Sequence, residues 1–510
     1  MDPNRQEMKD KAVEAERNEQ QIVRYDTKTR RRFLLSTSAV GLTGLAGCLG
    51  SGGETTTSSG DGGGSNGNSG ETTTGGGNTS IEGTELVYWN SINPNSEQAR
   101  VRSEYLVETF REQTGANLKV SWESPAGSFK GEWLNQMSEE NYPNYPVIYD
   151  GLLNFGGQYM ANDFVEPIGN YKQWLDDCIL ENMPTMLDAY QEALSPFGVS
   201  SHDEVLEVPI GIQTQNPFVA RKDHFEKAGL SWEDDFPPKD YDHLISVGKT
   251  LQKDGPADYG FPVYATTTDA LDELLTCWAV TIGGKDGDFL NSDGTETNFG
   301  NDVWEKALQR YNDIQHKYDL SFKGAPTAGD EDVMNQLIKG TTSLGAINWL
   351  DIPGLLNRAP DMMDDGTIQF APMWKGESGS RGIFHPWSIA ITTPPENVSK
   401  SKWRQKQKAA TEFLNMWLSE SQQKRMFTDF GIFPAREDVW DQISAAPYKG
   451  PKVLKTMTKD METTWTSHES LIDIQYNKTA PIIQQMLNGD IGASEANKKL
   501  KDTTENIMSN

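Results

Sequence analysis

The stretch from residue 85 to residue 122 restricts the fold more than any other. Glu85-Leu-Val-Tyr-Trp89 is a short apolar run, and the polar Asn90-Ser91-Ile92-Asn93-Pro94 after it reads as a loop. Residues 97–113 then place Val101, Tyr105, Leu106 and Phe110 at helical spacing, with Gly115 as the stop. Asn117-Leu-Lys-Val-Ser-Trp122 alternates as a second strand. Strand, helix, strand in that order is the unit of a parallel sheet.

The pattern continues. Pro146-Val-Ile-Tyr-Asp150 is an apolar run ending in an acid, and Glu207-Val-Pro-Ile-Gly-Ile212 and Asn216-Pro-Phe-Val-Ala220 read as strands joined by Gln213-Thr214-Gln215. Further strands are expected at 342–349, 367–372 and 386–391. Residues 407–418 carry the clearest helix, with Ala409, Ala410, Phe413, Leu414, Trp417 and Leu418 on one stripe. No internal repeat of fixed period is visible, which removes solenoids and propellers. The expected class is α/β.

Charge narrows the partners. With 46 basic and 74 acidic residues, the chain of 510 carries a formal charge of −28. Nucleic acid and anionic membrane surfaces both need a basic face, so neither suits it. Such an excess repels itself in dilute buffer, but at about 1 M salt the Debye length is roughly 3 Å and the cost largely disappears. The charge therefore reads as adaptation to a saline medium, as in a halophile. The three cysteines cannot make a dense disulfide framework, and Cys178 and Cys277 are left as one bond or two buried thiols.

The N-terminus reads as an address. Arg30-Arg31-Arg32 precedes an uncharged stretch from Phe33 that ends Leu45-Ala46-Gly47-Cys48, too short to span a bilayer. Paired arginines and Leu-Ala-Gly-Cys resemble a twin-arginine export signal ending in a lipoprotein box, with cleavage before Cys48 and lipidation of that residue. Residues 1–47 are thus an expected signal peptide. Residues 48–80, almost entirely Gly, Ser, Thr and Asn, are an expected tether that cannot bury apolar area.

Catalytic and metal motifs are near misses. None of the six histidines belongs to a His-Glu-x-x-His pair. Gly376-Glu-Ser378-Gly379 brings its second glycine one position early for a nucleophile elbow, and Gly248-Lys249-Thr250 has His243 where a phosphate loop needs glycine. Asp286-Gly-Asp288 with Asn291-Ser-Asp293-Gly294 lacks the register of a calcium loop and reads as a pair of turns. No catalytic residue, metal or cofactor is expected.

Several separated stretches, taken in order, resemble the family 1 extracellular solute-binding proteins of ATP-binding-cassette importers. They are Phe110-Arg-Glu-Gln-Thr-Gly115, Phe155-Gly-Gly157 with Phe164-Val-Glu-Pro-Ile168, Val208-Pro-Ile210, and Arg221-Lys-Asp-His-Phe-Glu-Lys-Ala-Gly-Leu230 with Pro237-Pro238. Ala409 to Leu418, Ser421-Gln-Gln423, Gly431-Ile-Phe-Pro-Ala435, and Gly489 with Ser494-Glu-Ala496 complete the set. The resemblance implies a periplasmic-binding-protein-like fold of two α/β lobes, each on a mainly parallel sheet, that close on a ligand about a hinge. The lobes are expected at 81–212 plus 369–387 and at 213–368 plus 388–510. Hinge crossings are expected at Ile212 to Gln215, at Phe370 to Met373 and near Pro386.

What the resemblance implies is a non-enzymatic receptor, anchored by lipid on the extracellular face of the membrane and acting as a monomer. It would hand a small solute to a membrane permease. A sugar or oligosaccharide is the first expectation, because sugars want aromatic plates and planar polar groups. A polyamine or other solute is the second, and a secreted acidic glycosidase is the alternative from another class. Trp349 matches the family's position after a strand of the second lobe, and Tyr476, thirteen residues before Gly489, matches a second stacking aromatic. Gln213 falls within one residue of a family acid that binds ligand hydroxyls. Trp89, Asn90, Ser91 and Asp150 end apolar strands, where open sheets present ligands, and Trp387 completes the expected site. Each aromatic also fits core packing, and Asp150 also fits a helix N-cap.

Overall fold

The computed structural model describes residues 81–90, 97–122, 145–152, 207–214, 217–266, 271, 274–348, 352–395, 398–430, 432–436, 439–440, 442, 462–463, 466 and 468–509. The expected signal peptide, Cys48 and the tether lie outside these residues, as do Ser91, Cys178 and Trp349.

The opening motif forms as its periodicity predicts. Strand β1 (Glu85–Asn90) leads through helix α1 (Glu97–Thr114) to β2 (Asn117–Trp122), and the two strands pair in parallel from Glu85↔Asn117 to Asn90↔Trp122. β3 (Ile148–Leu152) adds in parallel on the other side of β1, and β4 (Glu207–Thr214) follows. The chain then passes to β5 (Phe218–Arg221) and the helices α2 (Lys222–Lys227), α3 (Tyr241–Asp254), α4 (Leu274–Gly283), α5 (Asp302–His316) and α6 (Asp330–Lys339). β6 (Leu344–Ala346) and β7 (Ile368–Ala371) come next, then β8 (Ile383–Ile391), α7 (Lys400–Leu418), α8 (Glu420–Phe430), β9 (Phe433–Pro434) and β10 (Glu462–Thr463). Helices α9 (Ala480–Asn488) and α10 (Ala493–Met508) end the described chain.

These strands build two sheets. One has the order β2-β1-β3-β8-β4-β9, with β10 also on β8, and the other has the order β6-β5-β7. The parallel pairing expected from the sequence holds for β1 with β2 and β3 and for β10 with β8. β8 enters antiparallel to both β3 and β4, and the three-stranded sheet is antiparallel throughout. A strand's own residues announce its burial, whereas its direction depends on the connection that delivers it.

One side chain shows how the C-terminal motifs hold the first sheet. Gln423 is fully buried; its amide donates to the carbonyls of Ile210 (3.0 Å) and Trp417 (3.1 Å), and its oxygen accepts from the Ala435 amide (2.7 Å). It therefore ties β4, the end of α7 and the segment after β9 together. Gly211 has no room for a side chain, since a Cβ there would lie 2.5 Å from Ile432 Cγ2. α7 is capped by Ser399, whose hydroxyl accepts from Lys402, and its apolar stripe reaches the sheet through Phe413, 5.5 Å from Tyr88 and 5.6 Å from Phe110 between ring centroids.

The expected lobe boundaries need correction. A division at 387/388 cuts β8, a continuous strand, and α7, α8 and β9 pack with the first sheet rather than the second. Pro386 sits inside β8 opposite Ile212, so it is not a crossing. Among the described residues the sheets are connected between β4 and β5, between β7 and β8, and between β10 and Thr466. α9 and α10 rejoin the second body, where Asn497 bonds to Gly300, Asn301 and Glu305 and Gln484 bonds to Ala265.

Candidate ligand-binding site

β1, β3 and β4 run in the same direction, because β3 is parallel to β1 and both β3 and β4 oppose β8. Their last residues, Asn90, Leu152 and Thr214, therefore end in a staggered row toward the start of β8, at the levels of Ile389, Trp387 and Phe384. The register Trp89↔Tyr149 sets Asn90 beside Asp150, Asp150 lies opposite Ile389, and Gln213 lies opposite His385. Strands stand about 4.8 Å apart, so the edge from β1 to β4 spans about 14 Å.

The second sheet turns the matching edge toward the same connections. Phe218, the first residue of β5, pairs with Ala346 and Ala371, the last residues of β6 and β7. Only residues 215–217 separate β4 from β5, which limits the gap between these two strand ends to about 15 Å. Asn348, buried, comes two residues after the end of β6, and Trp349 is next in the chain. Past β7, Trp374 is 6% exposed and packs against Phe218 (5.4 Å) and Trp278 (5.8 Å). Tyr476 is 7% exposed and occupies a single π-helical turn, Asp473–Asn477, that leads toward α9. Such turns are rare and concentrate at functional sites.

The expected site residues thus separate into groups. Asn90 and Asp150 are neighbours at the ends of β1 and β3, whereas Gln213, opposite His385, lies four β8 residues or about 13 Å further along the sheet; Asn90 is fully buried, and the side chains of Asp150 and Gln213 lie outside what is described. Tyr476 belongs to the second body. Trp387 is 1% exposed with its ring edge-on to Trp417 (5.7 Å) and under the Arg102 guanidinium (4.5 Å). This is the side of the sheet that α1 and α7 cover, so the core role prevails over the ligand role for Trp387. Trp89, equally buried, alternates with Tyr88, whose ring faces α7, and so points to the opposite face. Asn348 was missed by sequence reasoning, although the strand end before Trp349 was a signal for it.

No cluster of three His, Cys, Asp or Glu that could hold a metal occurs among the described residues. The calcium-like stretch is a pair of turns, with Asn291 Oδ1 accepting from Thr295 and Glu296, and Gly248-Lys249-Thr250 lies inside α3. Two buried groups with shifted titration, His224 and Asp288, sit in the second body. Burial, helped by the Arg221 charge, holds the His224 imidazole down to about 4, with Nδ1 2.9 Å from Ser343 Oγ. Burial pushes the Asp288 carboxyl up to about 6, against hydrogen bonds from Thr466 and Phe289.

Two α/β bodies, joined by short connections and presenting strand ends to them from both sides, define a two-lobe, periplasmic-binding-protein-like protein. The sequence profile of the bacterial extracellular solute-binding proteins matches residues 93–424, and the chain belongs to that family. Solved structures with the same fold include the GacH receptor of Streptomyces glaucescens, described unliganded and with acarbose (15% identity, 84% of this chain and 99% of that one, TM-score 0.66). They also include the maltose-bound MalE3 of T. maritima (16%, 83% and 99%, 0.66) and a solute-binding protein of Agrobacterium radiobacter K84 with ribitol (17%, 84% and 100%, 0.66). No curated protein sequence matches the chain.

Proposed function

We propose that the protein is the receptor of an ATP-binding-cassette importer that captures a sugar or oligosaccharide between its two lobes and releases it unaltered to a membrane permease. The observation that carries this reading is that the end of β4 meets, across residues 215–217, the start of β5, on which the ends of β6 and β7 pair. Asn90, Ser91, Asp150 and Gln213 would supply polar groups from one side, and Trp349 and Tyr476 aromatic plates from the other. The lobes are 81–214 with 383–463 and 217–380 with 466–510. The sugar class is supported by the family and by structural neighbours solved with acarbose, maltose and ribitol. Lipidation at Cys48 after twin-arginine export, with residues 49–80 as a leash in a saline medium, completes the proposal.

A thermal-shift screen in molar sodium chloride with maltose, acarbose, ribitol and spermidine tests it. A sugar at 100 times its dissociation constant should add about 2.7 kcal/mol of stability. Trp349→Ala should abolish that gain while leaving the unliganded melt within a few degrees. A response to spermidine alone, or recovery of cleaved sugar, defeats the reading.

A further inference from the structure

Two of the connections between the sheets are gripped at one place. The one after β7 forms a turn at 376–380 that docks on the end of α4. Ser378 donates through its amide to the Thr281 carbonyl (3.1 Å) and through Oγ to the carbonyls of Val280 (2.9 Å) and Thr281 (3.1 Å). These are among the orphan carbonyls that every helix leaves at its C-terminus. The seat is tight, since a Cβ at Gly376 would fall 1.9 Å from the Thr281 oxygen. Glu377 braces the turn from the other side against Lys306 and Arg310 of α5.

The connection after β10 is held a few residues further along the same junction. Asp288 Oδ2 accepts from the Thr466 amide (2.8 Å) and hydroxyl (3.2 Å), Oδ1 accepts from the Phe289 amide (2.6 Å), and the Asp288 carbonyl accepts from the Trp304 indole (3.0 Å). On the first sheet the two connections also run side by side, with Glu462↔Ile383 and Thr463↔Phe384 in register. Gly379 within the docked turn and Gly382 between it and β8 take φ of +90° and +117°, a region that side chains disfavour.

We propose that the junction at residues 280–288 is a shared pivot of the hinge, fixing two connections to the second lobe through Ser378 and Asp288. Bending on the β7–β8 connection is then confined to residues 381–382, between the docked turn and β8. The lobes cannot swing on one of these connections without loading the other, which makes closure a single coupled motion. The inference rests on the two-lobe closure proposed above. Its test uses no ligand, so a failed sugar screen and a failed pivot are separate results.

The test is hydrogen–deuterium exchange on the full chain, comparing wild type with Ser378→Ala, Asp288→Asn and Thr466→Val. Loss of one such grip should speed exchange on the order of tenfold locally. With a shared pivot, Ser378→Ala also speeds exchange at Thr466, and Asp288→Asn speeds exchange over 376–382, while β1 and α9 keep wild-type protection. Thr466→Val removes only a hydroxyl and carries the comparison should Asp288→Asn not fold. Effects confined to the mutated connection, or no effect at either, overturn the proposal.

Discussion

His224 and Asp288 titrate in opposite senses, and that opposition is measurable. The imidazole, ordinarily near 6.5, is held to about 4, so the unfolded chain binds the extra proton between those values and this residue's contribution is lost as pH falls. The carboxyl, ordinarily 3.8, is raised to about 6, so here the folded chain binds the extra proton and the contribution is lost as pH rises. Between about pH 4 and 6 the two slopes, each at most about 1.4 kcal/mol per pH unit, offset one another. His224→Asn should therefore leave a melting temperature that falls as pH rises from 4 to 6, and Asp288→Asn one that rises from 4 to 6.5. Wild-type slope in either variant refutes the assignment. Neither shift was legible in the sequence, because burial of these side chains depends on partners far along the chain: Ser343 for one, Thr466 for the other. Trp387 teaches the same lesson, since an aromatic at a strand end reads alike whether it faces a ligand or Trp417.

Elements were easier to recognise than their neighbours. The apolar runs and the 3.6-residue stripe located β1, β2, β3, β4 and α7, although α7 begins at Lys400, ahead of the expected start, because its first turns are mostly polar and only Trp403 is buried there. What no run of residues encodes is that β8 lies between β3 and β4. The motif Ser421-Gln-Gln423, noticed only as part of a resemblance, gains its physical reason from the fold: a glutamine that serves two carbonyls and an amide cannot be exchanged for an apolar residue of equal size. Gln423→Met should cost about 2–4 kcal/mol in denaturant unfolding by stranding buried backbone groups. Gly211→Ala should cost about 1–3 kcal/mol through its clash with Ile432. Retention of wild-type midpoints by both would mean that β9 is not seated on β4 as described.

At the scale of the whole molecule the charge of −28 governs behaviour in salt. The described ion pairs on α8 and α10, such as Lys424–Glu420 and Lys498–Asp502, are exposed pairs one helical turn apart, the kind that contributes little and is screened. Repulsion among the surplus carboxylates is screened too, and by number it outweighs them. The melting temperature should therefore climb steadily from 0.05 to 1 M sodium chloride, and a flat or falling trend contradicts adaptation to brine.

The position of β8 has a consequence for synthesis. The gap between β3 and β4 cannot be filled until residue 391 has emerged, more than 170 residues after β4, because the strand that belongs there is made last of the three. A nascent or truncated chain ending before that point exposes two unpaired strand borders to its neighbours on the ribosome, the circumstance in which sheets join the wrong partner. Premature stop codons upstream of Ile383 should therefore yield inclusion bodies rather than a soluble half-receptor.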